Sequence, residues 1–263
     1  MGFNNIQFVI NDGVAKLTLN RPKSLNSFTS GMHAEIRMAM KQVTEDTDIR
    51  CLLITGAGRG FCAGQDLGDR ASPNEGAAPD VGASVKKDYN PLISNIMNLP
   101  KPVICAVNGV AAGAGASIAL ACDIVLAARS ASFIQVFCKI GLVPDSGGTW
   151  NLPRAVGLAR AKGLALLGDR LPAETAESWG LIWKCVDDES LQDEAMSMAS
   201  HLATQPTAAL GRIKKLLHQS ESNRLSEQLD LEQKAMQELG QSNDYREGVA
   251  AFLEKRSPVF KGH

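Results

Sequence analysis

The sequence predicts an α/β fold followed by a helical region at the C-terminal end of the chain. Two segments share the order strand, glycine-rich turn, helix and strand, with the turns at residues 61–66 and 108–115. From residue 146 onwards, helical patterns dominate. With 263 residues and 44% hydrophobic content, the chain is long enough for one large domain with an appendage. We expect a core at residues 1–199 and a helical region at residues 200–263.

Periodicity of apolar residues places the individual elements. We expect strands at residues 6–10, 14–19, 51–55, 103–107, 123–127 and 182–186. We expect helices at residues 30–46, 84–98, 113–121, 147–167 and 172–179, and three or four more up to residue 256. Asn11-Asp12-Gly13 joins the first two strands as a hairpin turn, and Ser30 is available to cap the first helix. Residues 68–82 are rich in Gly, Pro, Ala and Asp, which predicts a mobile loop.

Charge and hydrophobic pattern exclude several classes of partner. Lys and Arg number 27 and Asp and Glu number 28, so the net charge of −1 gives no overall field that would attract nucleic acid or an anionic membrane. No apolar stretch approaches the roughly 20 residues of a membrane-spanning helix. The first residues lack the charged and apolar regions of a signal peptide. We therefore expect a cytoplasmic protein.

The cysteines and histidines indicate neither disulfides nor a metal site. The six cysteines are widely spaced without a C-x-x-C pair, and the four histidines show no ligand spacing with one another or with cysteine. Buried free thiols are the expected state of Cys51, Cys62, Cys105, Cys122, Cys138 and Cys185. No metal is expected.

The two glycine-marked turns and one downstream acid predict a site that stabilises an oxyanion and moves a proton. Because glycine lets the backbone approach a ligand closely, N–H groups from both turns can converge on one carbonyl oxygen. Asp145, within Val143-Pro144-Asp145-Ser146-Gly147-Gly148, can supply acid–base chemistry beside it. On the residues alone, Asp145 can equally cap the helix that follows. Asp66 is expected to fix the first turn by bonding backbone groups.

These motifs resemble the crotonase, or enoyl-CoA hydratase/isomerase, superfamily. The similar positions run nearly end to end and comprise both turns, residues 101–107 and 122–124, Asn20-Arg21-Pro22 with Leu25-Asn26, and residues 252–256. The resemblance implies a spiral of repeated ββα units, as in the ClpP/crotonase fold, with a C-terminal helical region for oligomerisation. It also implies a homotrimer or a dimer of trimers. The implied substrate is a small-molecule acyl-CoA thioester, with coenzyme A as part of the substrate and no separate cofactor.

Three further segments resemble one branch of this superfamily, whose members isomerise a ring 1,2-epoxide of phenylacetyl-CoA to an oxepin in aerobic phenylacetate degradation. These segments are residues 56–67, 144–150 and 255–260. The resemblance therefore implies isomerisation, in which one base takes the proton α to the thioester and returns it along the conjugated system. Double-bond shifts in unsaturated acyl-CoA thioesters would use the same two steps.

The resemblance assigns catalytic roles residue by residue. It places the oxyanion-hole donors at the backbone N–H groups of Gln65 and Ala114, although the superfamily usually has glycine at the second of these positions. The two glutamates of the hydratases fall at Ser117 and Phe137, so the acids that hydration requires are absent. Asp145 falls where isomerases and dehalogenases of the superfamily have their working aspartate.

The resemblance also implies a coenzyme A site and an acyl pocket. The residues expected to bind coenzyme A are Lys23, Ala63, Gln65, Asp66 and Leu67, with Phe252 and Lys255 contributed by a neighbouring subunit. The residues expected to line the acyl pocket are Ser117, Phe137 and Trp150. Considered without the resemblance, each of these residues is equally an ordinary surface or core residue.

Other functional classes remain as alternatives. Residues 109–115 have the spacing G-x-x-x-G-x-G, which differs from the dinucleotide-binding fingerprint. Hydrolysis of a thioester or peptide would also use an oxyanion hole, but Ser117 and Ser146 have no histidine nearby in sequence. A non-catalytic acyl-CoA-binding scaffold would keep the fold and use its helical tail for assembly.

Overall fold

The computed structural model describes residues 2–69 and 80–263, which form two β-sheets surrounded by helices. The strands are β1 (Ile6–Asn11), β2 (Val14–Leu19), β3 (Cys51–Gly56), β4 (Gly60–Cys62), β5 (Val103–Val107), β6 (Val110–Ala112), β7 (Ile124–Ala128), β8 (Ser132–Ile134), β9 (Arg170–Pro172) and β10 (Lys184–Val186). The larger sheet has six strands in the order β1-β2-β3-β5-β7-β10, and the smaller has four in the order β4-β6-β8-β9.

Helices cover the sheets and form the C-terminal part of the chain. They are α1 (Ser30–Glu45), α2 (Val81–Ser84), α3 (Asn90–Asn98), α4 (Ala114–Leu120), α5 (Gly148–Leu167), α6 (Ala173–Ser178), α7 (Leu191–Ala203), α8 (Thr207–Ser220), α9 (Leu225–Leu239) and α10 (Asn243–Glu254). A π-helical segment, Val85–Tyr89, joins α2 to α3, and a 3₁₀ turn, Val136–Ile140, follows β8.

Consecutive strands divide between the two sheets in a repeating way. In each of the pairs β3/β4, β5/β6 and β7/β8, the first strand joins the larger sheet and the second joins the smaller one. The first strands of successive pairs are parallel, and so are the second strands. A helical segment follows each pair, although the third is a 3₁₀ turn instead of an α-helix. This arrangement confirms the predicted spiral of repeated ββα units.

The N-terminal hairpin forms as predicted. β1 and β2 are antiparallel, with Ile6 opposite Leu19. Asp12 and Gly13 have φ angles of 47° and 78°, which are the positive values that a type I′ hairpin turn requires. Apolar side chains of β2 then face the core, because Leu17 and Leu19 are buried.

The first helix begins at the predicted residue, but its cap was assigned wrongly. Thr29 is the N-cap, and its Oγ1 accepts a hydrogen bond from the Met32 N–H at 3.2 Å. Ser30 is the first helical residue, and both its N–H and its hydroxyl donate to the Asp69 carboxylate. Thr29 has the extended backbone that an N-cap needs, whereas the sequence offers two adjacent hydroxyl residues that fit this role equally.

Four short strands were not predicted. β4, β6, β8 and β9 each contain only three residues, which is too few to show an apolar–polar period. Together they form the smaller sheet, in which β4 pairs with β6. β4 overlaps the start of the first glycine-marked turn, and β6 lies within the residues of the second. The smaller sheet therefore places the turns side by side.

The segment predicted as a mobile loop at residues 68–82 is described only in part, because residues 70–79 lie outside the described residues. At its far end, helical structure begins at Val81, before the start predicted at residue 84. Asp80 caps this helix by accepting a hydrogen bond from the Ala83 N–H at 2.8 Å. The π-helical segment follows, and the Asn90 N–H bonds to the Val85 carbonyl within it.

The helix α7 packs on the larger sheet and crosses the predicted boundary between residues 199 and 200. Its buried residues recur at four-residue spacing and form one apolar face: Leu191, Ala195, Ala199 and Ala203. The helix continues without a break to Ala203, so the change from sheet-packed to C-terminal helices follows that residue. A division of the chain at residue 199 stays a prediction.

A buried ion pair attaches the C-terminal helices to the core. Lys214 on α8 is 9% exposed, and its Nζ donates to Asp123 Oδ2 at 2.9 Å and to the Ile96 carbonyl at 2.7 Å. The same carboxylate oxygen accepts the Val103 N–H at 2.7 Å. Burial raises the pKa of Asp123, against the opposing effect of the Lys214 ammonium. These contacts join α8, the end of α3 and the start of β5 and β7.

The C-terminal tail also folds back onto the core. The Arg50 guanidinium donates to the Phe260 carbonyl at 2.9 Å and to Thr207 Oγ1 at 2.9 Å. The buried Asp244 carboxylate accepts the N–H groups of Lys261 and Gly262 at 2.7 and 2.8 Å. The end of the chain is therefore tied to both α8 and α10.

Across residues 2–69 and 80–263, none of the helices combines the length and hydrophobicity needed to cross a membrane. All six cysteines are free thiols, and four of them are buried, while Cys138 and Cys185 are partly exposed.

Breaking the buried ion pair should destabilise the fold. We expect Lys214→Met to lower the free energy of unfolding by about 3–5 kcal/mol near neutral pH, because it leaves the Asp123 carboxylate buried without its cation. The deficit should shrink as the pH falls, because the raised pKa of Asp123 lets this carboxyl take up a proton in the folded state before it does so in the unfolded chain. Urea unfolding at neutral and mildly acidic pH measures both effects.

The matched control is Lys215→Met, which changes an exposed lysine at the next position of the same helix. This variant should unfold within about 0.5 kcal/mol of the original chain. An equal loss in the two variants would show that the ion pair does not attach α8 to the core.

Candidate active site

The first turn orients the backbone N–H of Gln65. Gly64 has a φ of 90°, and its carbonyl accepts a hydrogen bond from the Phe28 N–H at 2.7 Å. The Asp66 N–H donates to the Phe28 carbonyl at 2.9 Å, so the chain on both sides of Gln65 is held by one residue. Because C=O and N–H point in opposite directions across a trans peptide, the Gln65 N–H points away from Phe28.

The second turn orients the backbone N–H of Ala114. Gly113 has a φ of 54° and a ψ of −127°, and its carbonyl accepts the Ser117 N–H at 3.1 Å in the first turn of α4. Ala114 is the first residue of α4, so its N–H points out of the N-terminal end of the helix. The positive end of the helix dipole strengthens any hydrogen bond that this N–H donates to a negatively charged oxygen.

The two turns lie in direct contact. A Cβ built on Gly64 would be 3.0 Å from the Ala112 carbonyl oxygen and 3.4 Å from the Ala114 nitrogen. A Cβ built on Gly115 would be 2.4 Å from the Cys62 carbonyl oxygen. Among the backbone hydrogen bonds of turns, loops and caps in the described residues, none has the Gln65 or Ala114 N–H as its donor. The segments that carry the Gln65 and Ala114 N–H groups are therefore adjacent, as an oxyanion hole requires. The role of these two N–H groups as its donors stays a prediction.

Asp145 lies on the loop beside the helix that carries the second donor. Its carbonyl accepts the Gly148 N–H at 2.8 Å, and its half-buried carboxylate accepts the Ser146 hydroxyl at 3.0 Å. Gly148 packs on α4, because a Cβ built on it would be 2.8 Å from Ser117 Oγ. Gly147, and not Asp145, occupies the N-cap position of α5. The N-cap position considered for Asp145 is therefore occupied by a glycine, which has no side chain to accept a hydrogen bond.

Ser117 and Phe137 both lie next to the second turn. Ser117 is fully buried on α4, one helical turn after Ala114. Phe137 is buried in the 3₁₀ turn, and its Cζ would be 3.7 Å from a Cβ built on Gly113. A hydroxyl and a phenyl ring thus lie close to the second turn. Their assignment to the acyl pocket stays a prediction that this packing supports.

Trp150 lies in a different environment from the other residues predicted for the acyl pocket. Its ring is 47% exposed and carries the Arg154 guanidinium at 3.3 Å from the ring centroid. It lines a cavity of about 290 Å³ with Leu120, His218 and Glu221 among its neighbours. Leu120 is at the opposite end of α4 from Ala114. No described contact joins Trp150 to either turn.

The predicted coenzyme A residues form two separate groups. Lys23, Ala63, Gln65, Asp66 and Leu67 belong to the first turn or to the loop beside it. Phe252 is 82% exposed near the end of α10, and Lys255 follows that helix in a left-handed conformation. In the single chain, no described contact links Phe252 or Lys255 to the turns. Their participation from a neighbouring subunit stays a prediction.

The structure adds a basic residue that the sequence did not single out. Pro22, next to Lys23, lies against the loop at Gly58, where a built Cβ would be 2.9 Å from the Pro22 Cβ. Arg59 follows Gly58 and is exposed, as Lys23 is. Two cations therefore lie on neighbouring loops that precede the first turn. The resemblance had indicated Lys23, whereas Arg59 offered no signal beyond its positive charge.

Asn26 holds the strand that leads into the first turn. It is fully buried, and its Nδ2 donates to the carbonyls of Ala57, Gly60 and Phe61 at 2.9, 2.8 and 3.1 Å. Its Oδ1 accepts the Arg21 N–H at 2.8 Å. The sequence marked Arg21 and Asn26 as landmarks but gave them no role, because the partners that tie them to the first turn are 31 or more residues away in the chain.

Arg21 and Asp66 form an ion pair that fixes the end of the first turn. The distance from Arg21 Nη1 to Asp66 Oδ2 is 2.9 Å. The other carboxylate oxygen accepts the Gly68 N–H at 3.1 Å, and the Ser27 hydroxyl donates to the carboxylate at 3.2 Å. The Arg21 guanidinium holds the pKa of Asp66 below its ordinary value. Asp66 therefore bonds backbone and side-chain groups around the turn.

The chain is similar over nearly its whole length to known enoyl-CoA hydratases and isomerases. Residues 9–263 match the sequence model of the family described as enoyl-CoA hydratase/isomerase. The 1,2-epoxyphenylacetyl-CoA isomerase of Escherichia coli (strain K12) is 61% identical over 253 residues, which cover 96% of this chain and 97% of that protein. A protein of Rhodobacter capsulatus named as a probable enoyl-CoA hydratase is 47% identical over 262 residues, with full coverage of both chains.

Solved structures show the same fold. The enoyl-CoA hydratase from Bacillus anthracis superimposes with a TM-score of 0.93 at 34% sequence identity, covering 99% of this chain and 100% of that one. Relatives with isomerase and hydratase names thus share the fold, so the fold alone does not separate the two activities.

The Arg21–Asp66 pair leads to a pH prediction. The lowered pKa of Asp66 means that its ion pair is fully present above the ordinary pKa of an aspartate and is lost as the pH falls through the lowered value. We expect Arg21→Gln to return the pKa of Asp66 toward its ordinary value, so that the first turn loosens at a higher pH than in the original chain. Carboxyl-carbon NMR titration of Asp66 measures the shift.

The control is Arg37→Gln, which removes the partner of Asp88 and leaves Arg21 in place. The Asp66 titration should be unchanged in that variant. An unchanged Asp66 titration in Arg21→Gln would contradict the role of the guanidinium.

Proposed function

Because the chain belongs to the enoyl-CoA hydratase/isomerase family, we propose that it is an acyl-CoA isomerase that converts ring 1,2-epoxyphenylacetyl-CoA to oxepin-CoA in aerobic phenylacetate catabolism. One observation supports the proposal: the adjacent turns that carry the Gln65 and Ala114 N–H groups lie near the loop that carries the Asp145 carboxylate. The name of the relative that is 61% identical supports the choice of substrate.

The two backbone donors stabilise the charge that develops on the thioester. When the proton α to the thioester leaves, the electrons of the C–H bond move onto the carbonyl oxygen and form an enolate. The N–H groups of Gln65 and Ala114 then donate to an oxygen that carries negative charge, where each hydrogen bond is strongest. Elsewhere, the loss of one such donor costs about 2.7–4 kcal/mol of activation free energy.

Asp145 transfers the proton. Its carboxylate takes the α-proton, and the electrons held in the enolate then return through the conjugated ring system as the epoxide rearranges toward the oxepin. The protonated Asp145 gives the same proton back to a ring carbon. The product has the same atoms as the substrate, with no water added and no electrons gained or lost. A double-bond shift in an unsaturated acyl-CoA uses the same two proton transfers.

Hydration is the second candidate function, because the Rhodobacter capsulatus relative has a hydratase name. Adding water across a double bond requires one group to activate the water and another to protonate carbon. Ser117 and Phe137, beside the second turn, have no carboxylate for either step. The residues around the donors therefore favour isomerisation over hydration.

The proposal includes the assembly and the surroundings of the enzyme. The chemistry is a proton transfer without redox change, so it needs no cofactor apart from the coenzyme A of the substrate. We propose a homotrimer or a dimer of trimers in the cytoplasm, in which Phe252 and Lys255 of a neighbouring subunit cover the coenzyme A. Support comes from the exposed apolar residues of the C-terminal helices, which include Met236, Phe252 and Leu253.

Loss of the carboxylate should abolish isomerisation without preventing binding. We expect Asp145→Asn to lower kcat for ring 1,2-epoxyphenylacetyl-CoA by about 10²–10⁴-fold, because the amide cannot accept the α-proton. Product formation is followed by absorbance and mass, and exchange of the α-proton is followed in deuterated water. Coenzyme A thioester affinity, measured by calorimetry, should change little.

Asp169→Asn provides the matched control, because it makes the same chemical change at an exposed aspartate. Asp169 Oδ1 lies 3.8 Å from Lys139 Nζ. It should keep full activity. Turnover by Asp145→Asn at the level of the control would remove Asp145 from the mechanism. Water addition to an unsaturated acyl-CoA at a higher rate than isomerisation would favour the hydratase.

The contact between the turns gives a second prediction. We expect Gly64→Ala to lower kcat by about 10²–10³-fold, because the new Cβ would lie 3.0 Å from the Ala112 carbonyl and the φ of 90° is unfavourable for alanine. Kinetic measurements and thermal unfolding are compared with those of Gly163→Ala. Gly163 lies within α5, and a Cβ built on it has no neighbour within 4 Å.

Gly163→Ala should be fully active and as stable as the original chain or slightly more so. Full activity of Gly64→Ala would mean that the Gln65 N–H does not need its observed position.

A further inference from the structure

We propose that Tyr89 is a positioning residue for the oxyanion hole, which it aligns through the side chain of Gln65. This inference rests on the proposed function, because it assumes that the Gln65 N–H is one of the two donors. Tyr89 lies at the end of the π-helical segment and does not itself belong to either glycine-marked turn. Its contribution is the orientation of a residue whose backbone meets the substrate.

The side chain of Gln65 is held at both polar atoms. The Tyr89 hydroxyl donates to Gln65 Oε1 at 2.9 Å, and Gln65 Nε2 donates to the Asp66 carbonyl at 3.1 Å. Only this orientation of the amide gives both contacts a donor and an acceptor, since a flipped amide would set Oε1 against the Asp66 carbonyl. The Tyr89 hydroxyl therefore fixes the amide, and the amide fixes the Asp66 carbonyl, two peptide groups after the Gln65 N–H.

Tyr89 is itself held rigidly. Its side chain is 0% exposed, and its ring packs on His33 with a centroid distance of 4.5 Å and on Phe28 with a centroid distance of 5.8 Å. Phe28 is the residue whose backbone bonds to both sides of Gln65. The aromatic cluster thus supports the backbone of Gln65 from Phe28 and its side chain from Tyr89. A rigid support of this kind is what a preorganised donor requires.

The π-helical segment sets the direction of Tyr89. Its i→i+5 hydrogen bond, from the Asn90 N–H to the Val85 carbonyl, adds one residue to the turn and changes the phase of the helix before α3 begins. Short π-helical segments of this type are uncommon and occur frequently at functional sites. Here the altered turn ends at the tyrosine that reaches the first turn.

The same helix contacts the other half of the site. Ile93, four residues after Tyr89, lies on the same face of the helix. Its Cγ2 would be 3.5 Å from a Cβ built on Gly147, which is two residues after Asp145. The continuous helical segment from Val85 to Asn98 therefore contacts the Gln65 side chain through Tyr89 and the loop that carries Asp145 through Ile93. We infer that the Tyr89–Gln65 hydrogen bond maintains the separation between the oxyanion donor and the base.

A double-mutant cycle tests this role. Tyr89→Phe removes only the hydroxyl, and Gln65→Met removes the side-chain amide but keeps the backbone N–H. We expect Tyr89→Phe to lower kcat for ring 1,2-epoxyphenylacetyl-CoA by about 3- to 10-fold, the effect of one neutral hydrogen bond, with less than a twofold change in KM. Because Tyr89 acts through the Gln65 amide, Tyr89→Phe should have no further effect on kcat in the Gln65→Met background.

Tyr245→Phe is the matched control, since Tyr245 is the second of the two tyrosines of the chain and is exposed on α10. Its effect on kcat should be small and should add to that of Gln65→Met. An unchanged kcat in Tyr89→Phe, or an effect of Tyr89→Phe that persists undiminished in the Gln65→Met background, would overturn the proposal and leave Tyr89 with a packing role.

A second measurement does not depend on turnover. Hydrogen exchange of the peptide that covers residues 60–68, followed by mass spectrometry, should be faster in Tyr89→Phe than in the original chain or in Tyr245→Phe, because the Asp66 N–H is part of the same turn. If the original chain shows no isomerisation, the proposed function fails, and this exchange rate still decides the role of Tyr89. Unchanged exchange would overturn that role.

Discussion

The close approach of two backbone turns is the constraint on which the rest of the structure depends. Gly64, Gly109 and Gly115 each lie where a Cβ would come within about 3 Å of a carbonyl oxygen of the neighbouring segment. The contact is closest at Gly109, at 2.2 Å from the Arg59 carbonyl. Side chains at these positions would push the turns apart and separate the N–H groups of Gln65 and Ala114, which are the proposed donors. β4 and β6 pair at the same place, and this pairing holds the two turns side by side.

Most of the support for the first turn comes from one earlier segment of the chain. Arg21, Asn26 and Phe28 bond to the turn through an ion pair, a buried amide and a backbone bridge, respectively. A buried amide with all its hydrogen bonds made specifies one arrangement, since any other leaves polar groups unpaired. Farther from the site, the Lys214–Asp123 pair joins the C-terminal helices to the start of β5, the strand that leads to the second turn. The ion pair that attaches the C-terminal helices therefore also holds β5, the strand that leads to the second turn.

Backbone donors make the site chemically general, and the acids beside them make it specific. Two N–H groups stabilise an enolate or a tetrahedral oxyanion equally well, which explains how one fold serves several reactions. Once the oxyanion has formed, the fate of the intermediate depends on which side chain can hold a proton. In this chain Ser117 and Phe137 lie close to the second turn, and the Asp145 carboxylate lies on the loop before α5. A single acid can move a proton between carbons, whereas hydration requires water to be activated as well.

The sequence by itself determined the elements whose pattern is local. The N-terminal hairpin, the buried strands β3 and β5, the helix α5 and the two glycine-marked turns could all be located, because apolar period and glycine position are properties of neighbouring residues. Resemblance to a known family then identified Gln65, Ala114 and Asp145 as candidate site residues. The three-residue strands and the roles of Asn26 and Tyr89 were decided only by the tertiary structure. Those strands are too short to have a period, and the partners of Asn26 and Tyr89 are separated in sequence by about 24 to 35 residues, so only folding brings them together.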